Sequence, residues 1–350
     1  MYRHHVKLVA LSLVAFALLM VHCAVARADL AILVEQPYGD LGQMQPGGHA
    51  AIYFNNICAE TPTMLRPCHP GEAGVVLARY DGIQHYDWLA IPLIPYLYAV
   101  DNVADVPAWV TLPQVGRLRE QYRQHYLESV APDAGRNALG VPIAPRGNWY
   151  ELVGSAYDRR IYGFRIRTTP QQDAALIAIM NDRPNVERYN GGVRNCADFV
   201  RVVFNRFYPK ALHRNFISDL GVTSPKQLAH GLVQYARKHP EIGLTEFIIL
   251  QVPGTLGRSH PNKGVLEAVA TSLKYVVPLT FLEPIASGVA MTAYLSRGRF
   301  TMPQNAPEWT PAEMGLLTQT SLSSGAIPAF PTELPLSVNA NLVRTHAPAN

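Results

Sequence analysis

The sequence predicts an α+β fold, an antiparallel sheet packed against helices with a helical C-terminal extension. Three observations predict it. Segments rich in β-branched and aromatic residues cluster at 49–57, 74–82 and 85–93, with Gly82 turning the chain between the last two. Apolar residues recur at helical spacing in 112–130, 169–184 and 195–207. A late stretch, 273–300, is apolar but broken by Glu283 and two prolines.

The chain starts with a basic MYRHHVK, an apolar LVALSLVAFALLMV and Ala26-Arg27-Ala28, the pattern of a secretory leader over 1–28. The mature start is expected near Asp29, and Cys23 follows Val21-His22 in no lipid-attachment pattern. An exported protein is expected, periplasmic or extracellular, soluble or membrane-associated. The full chain carries 30 Lys+Arg against 26 Asp+Glu. The leader holds Arg3, Lys7 and Arg27 and no acid, so the net charge falls from +4 to +1 once it leaves. The basic balance is mostly export signal and makes no case for nucleic acid, which needs a basic face.

Three cysteines follow the leader: Cys58, Cys68 and Cys196. Cys58 and Cys68 bracket the short CAETPTMLRPC loop, which in an oxidising compartment reads as a local disulfide. The spacing fits no zinc pattern, and His69 alone is a poor third ligand. Cys196 is left odd, either a buried inert thiol or a reactive one.

Further along, 112–130 carries Leu118, Tyr122 and Tyr126 at helical spacing. NWYELVGS and RRIYGFRIRT are expected to form a hairpin around Tyr157-Asp158, the second arm alternating apolar Tyr162, Phe164 and Ile166 with Gly163, Arg165 and Arg167. Thr169 N-caps the next helix, Pro170 suits its first turn, and Pro184 follows its end. Then Asn195 N-caps a helix, and Asp198 can complement its exposed N–H groups. Cys196, Phe199, Val200, Val203, Phe204 and Phe207 share one face. Cys196 thus stands in the first turn, where backbone N–H groups and the helix dipole favour a thiolate.

A thiol nucleophile needs a base, and the base an orienter. His49 opens a strand after Pro46-Gly47-Gly48, glycines that let another backbone approach. His85 opens the third strand, and Asp87 follows on the same strand face. Each of these residues also has a bland reading, as a strand-end histidine, a turn residue or an edge charge.

GGHAAIYF followed much later by NCADFV resembles the circularly permuted papain-like cysteine hydrolases, the NlpC-like superfamily branch that includes lecithin:retinol acyltransferase-like proteins. The resemblance covers about 40–210. It implies a permuted papain-like core with Cys196 as nucleophile, His49 as base and His85 as orienter, with Asp87 the competing third residue. It also implies thioester chemistry on amides or esters, with no cofactor and no metal. Here histidine precedes cysteine by 147 residues, the reverse of ordinary papain-type order. A site is defined by geometry and not by order, so a permuted chain can build the same pair. Asn195 is open between an oxyanion donor and a helix cap.

The expected organisation is a leader over 1–28, a catalytic domain over 29–222, a helical and apolar extension over 223–300, and a Pro-rich tail over 301–350 that is mostly disordered or loosely attached. His213, Arg214 and Asn215 fall in a loop that is solvated or lines a groove. GLTEFIILQVPG reads as a strand. GTLGRSHPNKG lacks the Lys-Ser/Thr ending of a phosphate-binding loop. The uncharged runs of 273–300 fall short of the ~20 residues a bilayer needs. A buried or interfacial helical hairpin is expected, with peripheral membrane contact as one partner and a peptide or lipid as substrate. Two functions stay open: a cysteine-dependent hydrolase or acyltransferase of the cell envelope, and a catalytically silent binding or scaffold protein on the same fold.

Overall fold

The computed structural model describes residues 28–39, 47–145, 147–186, 189–216, 219–295 and 299–314. The segment read as a leader, apart from Ala28, and residues 315–350 lie outside the described residues.

The described chain begins with β1 (Ala28–Glu35) and returns as β2 (His49–Phe54). A side hairpin follows, β3 (Ile57–Thr61) and β4 (Met64–Pro67), then β5 (Val75–Ala78) and β6 (Leu89–Pro92). After α1 (Leu93–Tyr98) and α2 (Leu112–Tyr126) comes the long strand β7 (Ile161–Thr168). Helices α3 (Pro170–Asp182), α4 (Cys196–Phe207) and α5 (Pro225–Lys238) precede β8 (Thr245–Ile249), and α6 (Val265–Ala270), α7 (Leu273–Leu282) and α8 (Pro284–Ala293) close the series. Six strands form one antiparallel sheet in the order β8-β7-β1-β2-β5-β6. The fold is therefore mixed α and β, with β2, β5 and β6 adjacent as the sequence predicts.

The sheet is covered on both faces, and strand alternation decides which residue goes where. Ala50, Ile52 and Phe54 point to the layer made by α4 and α5, together with Leu30, Ile32 and Val34. Ala51 and Tyr53 point to the other layer, with Tyr80, Tyr96, Leu97 and Tyr157. Helix α4 buries Phe199, Val200, Val203, Phe204 and Phe207, each worth about 1.5–3 kcal/mol when taken fully from water. Phe207 meets Phe54 of β2 with ring centroids 5.6 Å apart. That packing fixes the mouth of α4 against the first residues of β2.

Four expectations need correction. The central strand β1 has no counterpart in the sequence reading, which ends the leader where this strand starts, and Ala28 is buried in it. The 148–168 hairpin does not form. Trp149–Leu152 is a 3-10 turn, Gly154 takes φ +74°, and Ser155–Asp158 is a single helical turn. Arg119 of α2 holds this bend by donating to the carbonyls of Val153 and Gly154 at 3.0 Å each, so β7 pairs with β1 and β8 instead. The strand read over 85–93 starts only at Leu89, because Arg79 pairs with Asp87 at 2.6 Å and Asn185 takes the N–H groups of Asp87 and Trp88 at 3.0 Å each. Finally, neither the 222/223 boundary nor the one at 301 is a break in the structure. Strand β8 extends the main sheet, and the segment after 300 packs on β8 through the backbone bond from Trp309 N–H to the Ile248 carbonyl, 2.7 Å.

Cys58 and Cys68 form a disulfide across the β3–β4 hairpin, and Cys196 is the free thiol among the described residues. A disulfide is compatible with export. No helix among the described residues is long and apolar enough to cross a membrane.

Candidate active site

The mouth of α4 is held by side chains that are fully committed. Asn195 accepts the Asp198 N–H at 2.8 Å, and its amide nitrogen donates to the carbonyls of Gly191 and Thr223 at 3.0 Å each. Every polar atom of that side chain is in use, so Asn195 is the helix cap and has no donor left for an oxyanion. Asp198 does more than face the helix N–H groups. It accepts from Arg201, Arg214 and the Thr223 hydroxyl, and Arg214 also donates to the Val193 carbonyl at 2.7 Å. Arg214, read from sequence as part of a solvated or groove-lining loop, is thus a clamp on the loop that leads into Cys196.

Cys196 is buried. The backbone N–H groups of Ala50 and Ala197 lie against its sulfur and favour the thiolate, as the helix mouth predicts. Burial outweighs them and pushes the thiol up to about 11, so the resting group is a protonated thiol. Ala50 sits where the β2–β5 ladder has already ended, its last pair being Ile52 with Leu77. The sulfur therefore meets the sheet at the splayed start of β2, one residue from His49.

His49 opens β2 opposite Glu35 of β1. Gly48 makes the approach possible. Its φ is +75°, and a Cβ there would stand 2.0 Å from the Glu35 carbonyl oxygen, which only glycine avoids. The imidazole is buried and stacks on Tyr80, ring centroids 5.1 Å apart and 20° from coplanar. Tyr80 belongs to the core layer opposite α4, so the ring rests on the other face of β2 from the Cys196 helix. Its Nε2 is buried without a hydrogen-bond partner among the described residues. Burial first, and the positive charge of Arg159 second, hold His49 well below its ordinary range, so it is neutral.

Beside His49 lies a buried polar cluster that the sequence reading missed. Glu35 accepts a short hydrogen bond from the Tyr96 hydroxyl and pairs with Arg159 at 3.2 Å. Arg159 also reaches Glu151 at 3.5 Å, and the Tyr38 ring covers its guanidinium with the centroid 4.7 Å from Cζ. Burial works against the charge on Arg159, but Glu151 and Glu35 outweigh it and keep the guanidinium protonated. The available signal was Glu35 itself, a charge closing the apolar run Leu30–Val34.

His85 is not brought to this site. It lies on an exposed turn before β6, its ring against Tyr86 at 4.4 Å, whereas His49 is buried against Tyr80. Asp87 is spent on Arg79. Tyr80 holds the position beside the His49 imidazole that the resemblance implies for His85 or Asp87.

No family model, curated protein or solved structure matches this chain. The functional reading rests on the residues above.

Proposed function

We propose that this chain is an exported thiol hydrolase or acyltransferase with a permuted papain-like core, acting on an amide or ester in the cell envelope. One observation carries the reading: a free cysteine at a capped helix mouth abuts the strand start that bears His49, whose buried Nε2 lacks a partner among the described residues. An orphaned buried nitrogen is costly and marks a position kept for something other than packing.

In the proposed reaction, the substrate carbonyl enters beside Cys196, and the His49 imidazole leaves Tyr80 and swings round the edge of β2 that β5 leaves unpaired, to take the thiol proton. The sulfur attacks the carbonyl carbon. The tetrahedral intermediate collapses to a thioester as His49 returns the proton to the departing amine or alcohol. Water, or a second alcohol or amine, then gives up a proton to His49 and attacks the thioester, and the thiol is restored. The N–H groups of Ala50 and Ala197, already at the sulfur, are the backbone donors nearest the developing oxyanion.

The test uses p-nitrophenyl esters of short and long acyl chains and a peptide p-nitroanilide. An acyl adduct on Cys196, seen by mass spectrometry and cleaved by hydroxylamine, is the expected result. Cys196→Ala should lose adduct and turnover, and His49→Ala should slow acylation at neutral pH by about 10²-fold or more. Esters and anilides that leave no adduct on Cys196, with wild type and Cys196→Ala equally inactive, would favour the second reading. That reading is a silent binding or scaffold protein on this fold, and the burial that keeps the thiol protonated is the observation in its favour.

A further inference from the structure

The C-terminal hairpin carries a second inference, independent of the thiol chemistry. Helices α7 and α8 run back on each other, joined by the Thr280 and Ser287 hydroxyls at 3.0 Å. They pack chiefly on each other and on α6. Their turn is crowned by large apolar side chains in water: Phe281 is 84 % exposed, Leu282 78 % and Ile285 82 %. Val289 and Leu295 continue this surface down α8. Such a concentration is costly for a surface that meets only water, and it marks an interaction site.

Shape and charge select the partner. Each helix has ten residues, about 15 Å of length, half of the ~30 Å hydrocarbon core of a bilayer. The hairpin can enter one leaflet and cannot cross. From Tyr275 to Ser296 the only charged residue is Glu283, at the turn, whereas Lys263 precedes the hairpin and Arg297 and Arg299 follow it along the chain. An apolar crown above a basic collar is the arrangement that seats acyl chains below and anionic headgroups around it. Ion pairing with Lys226 at 2.7 Å offsets Glu267, the acid on α6. We infer that this hairpin docks the protein onto an anionic lipid bilayer, with Phe281, Leu282 and Ile285 inserted at the interface.

Vesicle flotation of the purified exported chain tests this, using phosphatidylcholine alone and phosphatidylcholine with phosphatidylglycerol. Wild type should float with the anionic vesicles and several-fold less with neutral ones or in 0.5 M salt, a salt effect of about the size screening allows. The double variant Phe281→Ser/Ile285→Ser should partition roughly tenfold less or worse, since it removes two inserted side chains. Both residues are exposed, and an unchanged thermal melt confirms that the variant folds. Lys263→Glu/Arg299→Glu should abolish the preference for anionic lipid while leaving the apolar crown. Wild type that stays with the soluble fraction, or a crown variant that floats as wild type does, overturns the inference. A concentration-dependent dimer that the crown variant dissociates, without flotation, overturns it in favour of a second copy as the occupant.

Discussion

Among the described residues, Arg159 is the one full positive charge that bears on both Cys196 and His49. It favours the thiolate and opposes the imidazolium. Removing it should shift the rise of Cys196 alkylation with pH toward higher pH, and should make His49 easier to protonate. Arg159→Lys keeps the charge and should move neither. Because Arg159→Met would strand the buried Glu35, at a cost of about 3–5 kcal/mol, it is best paired with Glu35→Gln and followed by mass-spectrometric alkylation rates across pH. An alkylation profile identical to wild type would remove Arg159 from the electrostatics of the site. A second buried carboxyl gives a pH signature in stability. Burial raises Asp173 from 3.8 to about 7, with Thr168 opposing and Asp29 adding to the effect. The folded state holds this proton more tightly than the unfolded chain, so its contribution is full below 3.8 and is lost as pH rises to about 7. Asp173→Asn should therefore flatten stability between those limits and gain on the order of 2 kcal/mol at pH 8 relative to wild type, read by denaturant titration at several pH values. Neither effect was legible in sequence, because burial of Arg159 and Asp173 depends on elements distant along the chain. Cys196 was legible in position, but its protonation was not: the helix mouth can be read locally, and the desolvation that overrides it cannot.

At the scale of elements, caps and glycines were the readable features. The Thr169 capping box with Gln172 and the Asn195 cap both stand where the sequence puts them, because such signals are satisfied within four residues. Gly48 was readable as a close approach for the same local reason. Gly48→Ala should cost at least about 2 kcal/mol, from a left-handed backbone and from a Cβ driven into the Glu35 carbonyl. The same strain should loosen the β1–β2 junction, so amide exchange at Ala50 should accelerate along with the loss measured by chemical denaturation. An unchanged denaturation midpoint would mean that the junction relaxes freely. What sequence misplaced were the elements set by distant partners. The 148–154 segment has strand composition, yet Arg119 of α2 bends it away from β7. The third strand lost its first residues to Asn185, nearly a hundred positions on. His85 went with them, and so did its expected place beside His49.

For the whole molecule, strand β8 of the extension joins the main sheet, and the beginning of the tail is tied to β8. Trp309 stacks on Phe247 of β8 with ring centroids 3.7 Å apart, while Ile248 donates to the Pro307 carbonyl at 2.8 Å. Met314 is fully buried in the same layer. Proline-rich composition concealed this, because the strap is held by two backbone bonds and a ring stack and not by periodic structure. Trp309→Ala should cost about 3–5 kcal/mol, measured as a fall in the denaturant midpoint, and loss of the strap should expose the β8 edge to aggregation. A midpoint within error of wild type would show that the strap adds nothing to the sheet. The most far-reaching feature is the place of β1. It is the first strand of the described chain, yet it lies in the interior of the sheet, flanked by β2 on one side and β7 on the other, and Ala28 is already sealed within it. β7 begins 126 residues after β1 ends. If the leader expected from sequence were cut after Ala28, the bond would be open to a peptidase only before β7 arrives, since Ala28 then pairs with Thr168 and the Asn55 N–H donates to the Asp29 carbonyl at 3.2 Å. The sheet cannot shut until the chain has emerged at least as far as Thr168, so a cut at the expected leader boundary would have to precede folding.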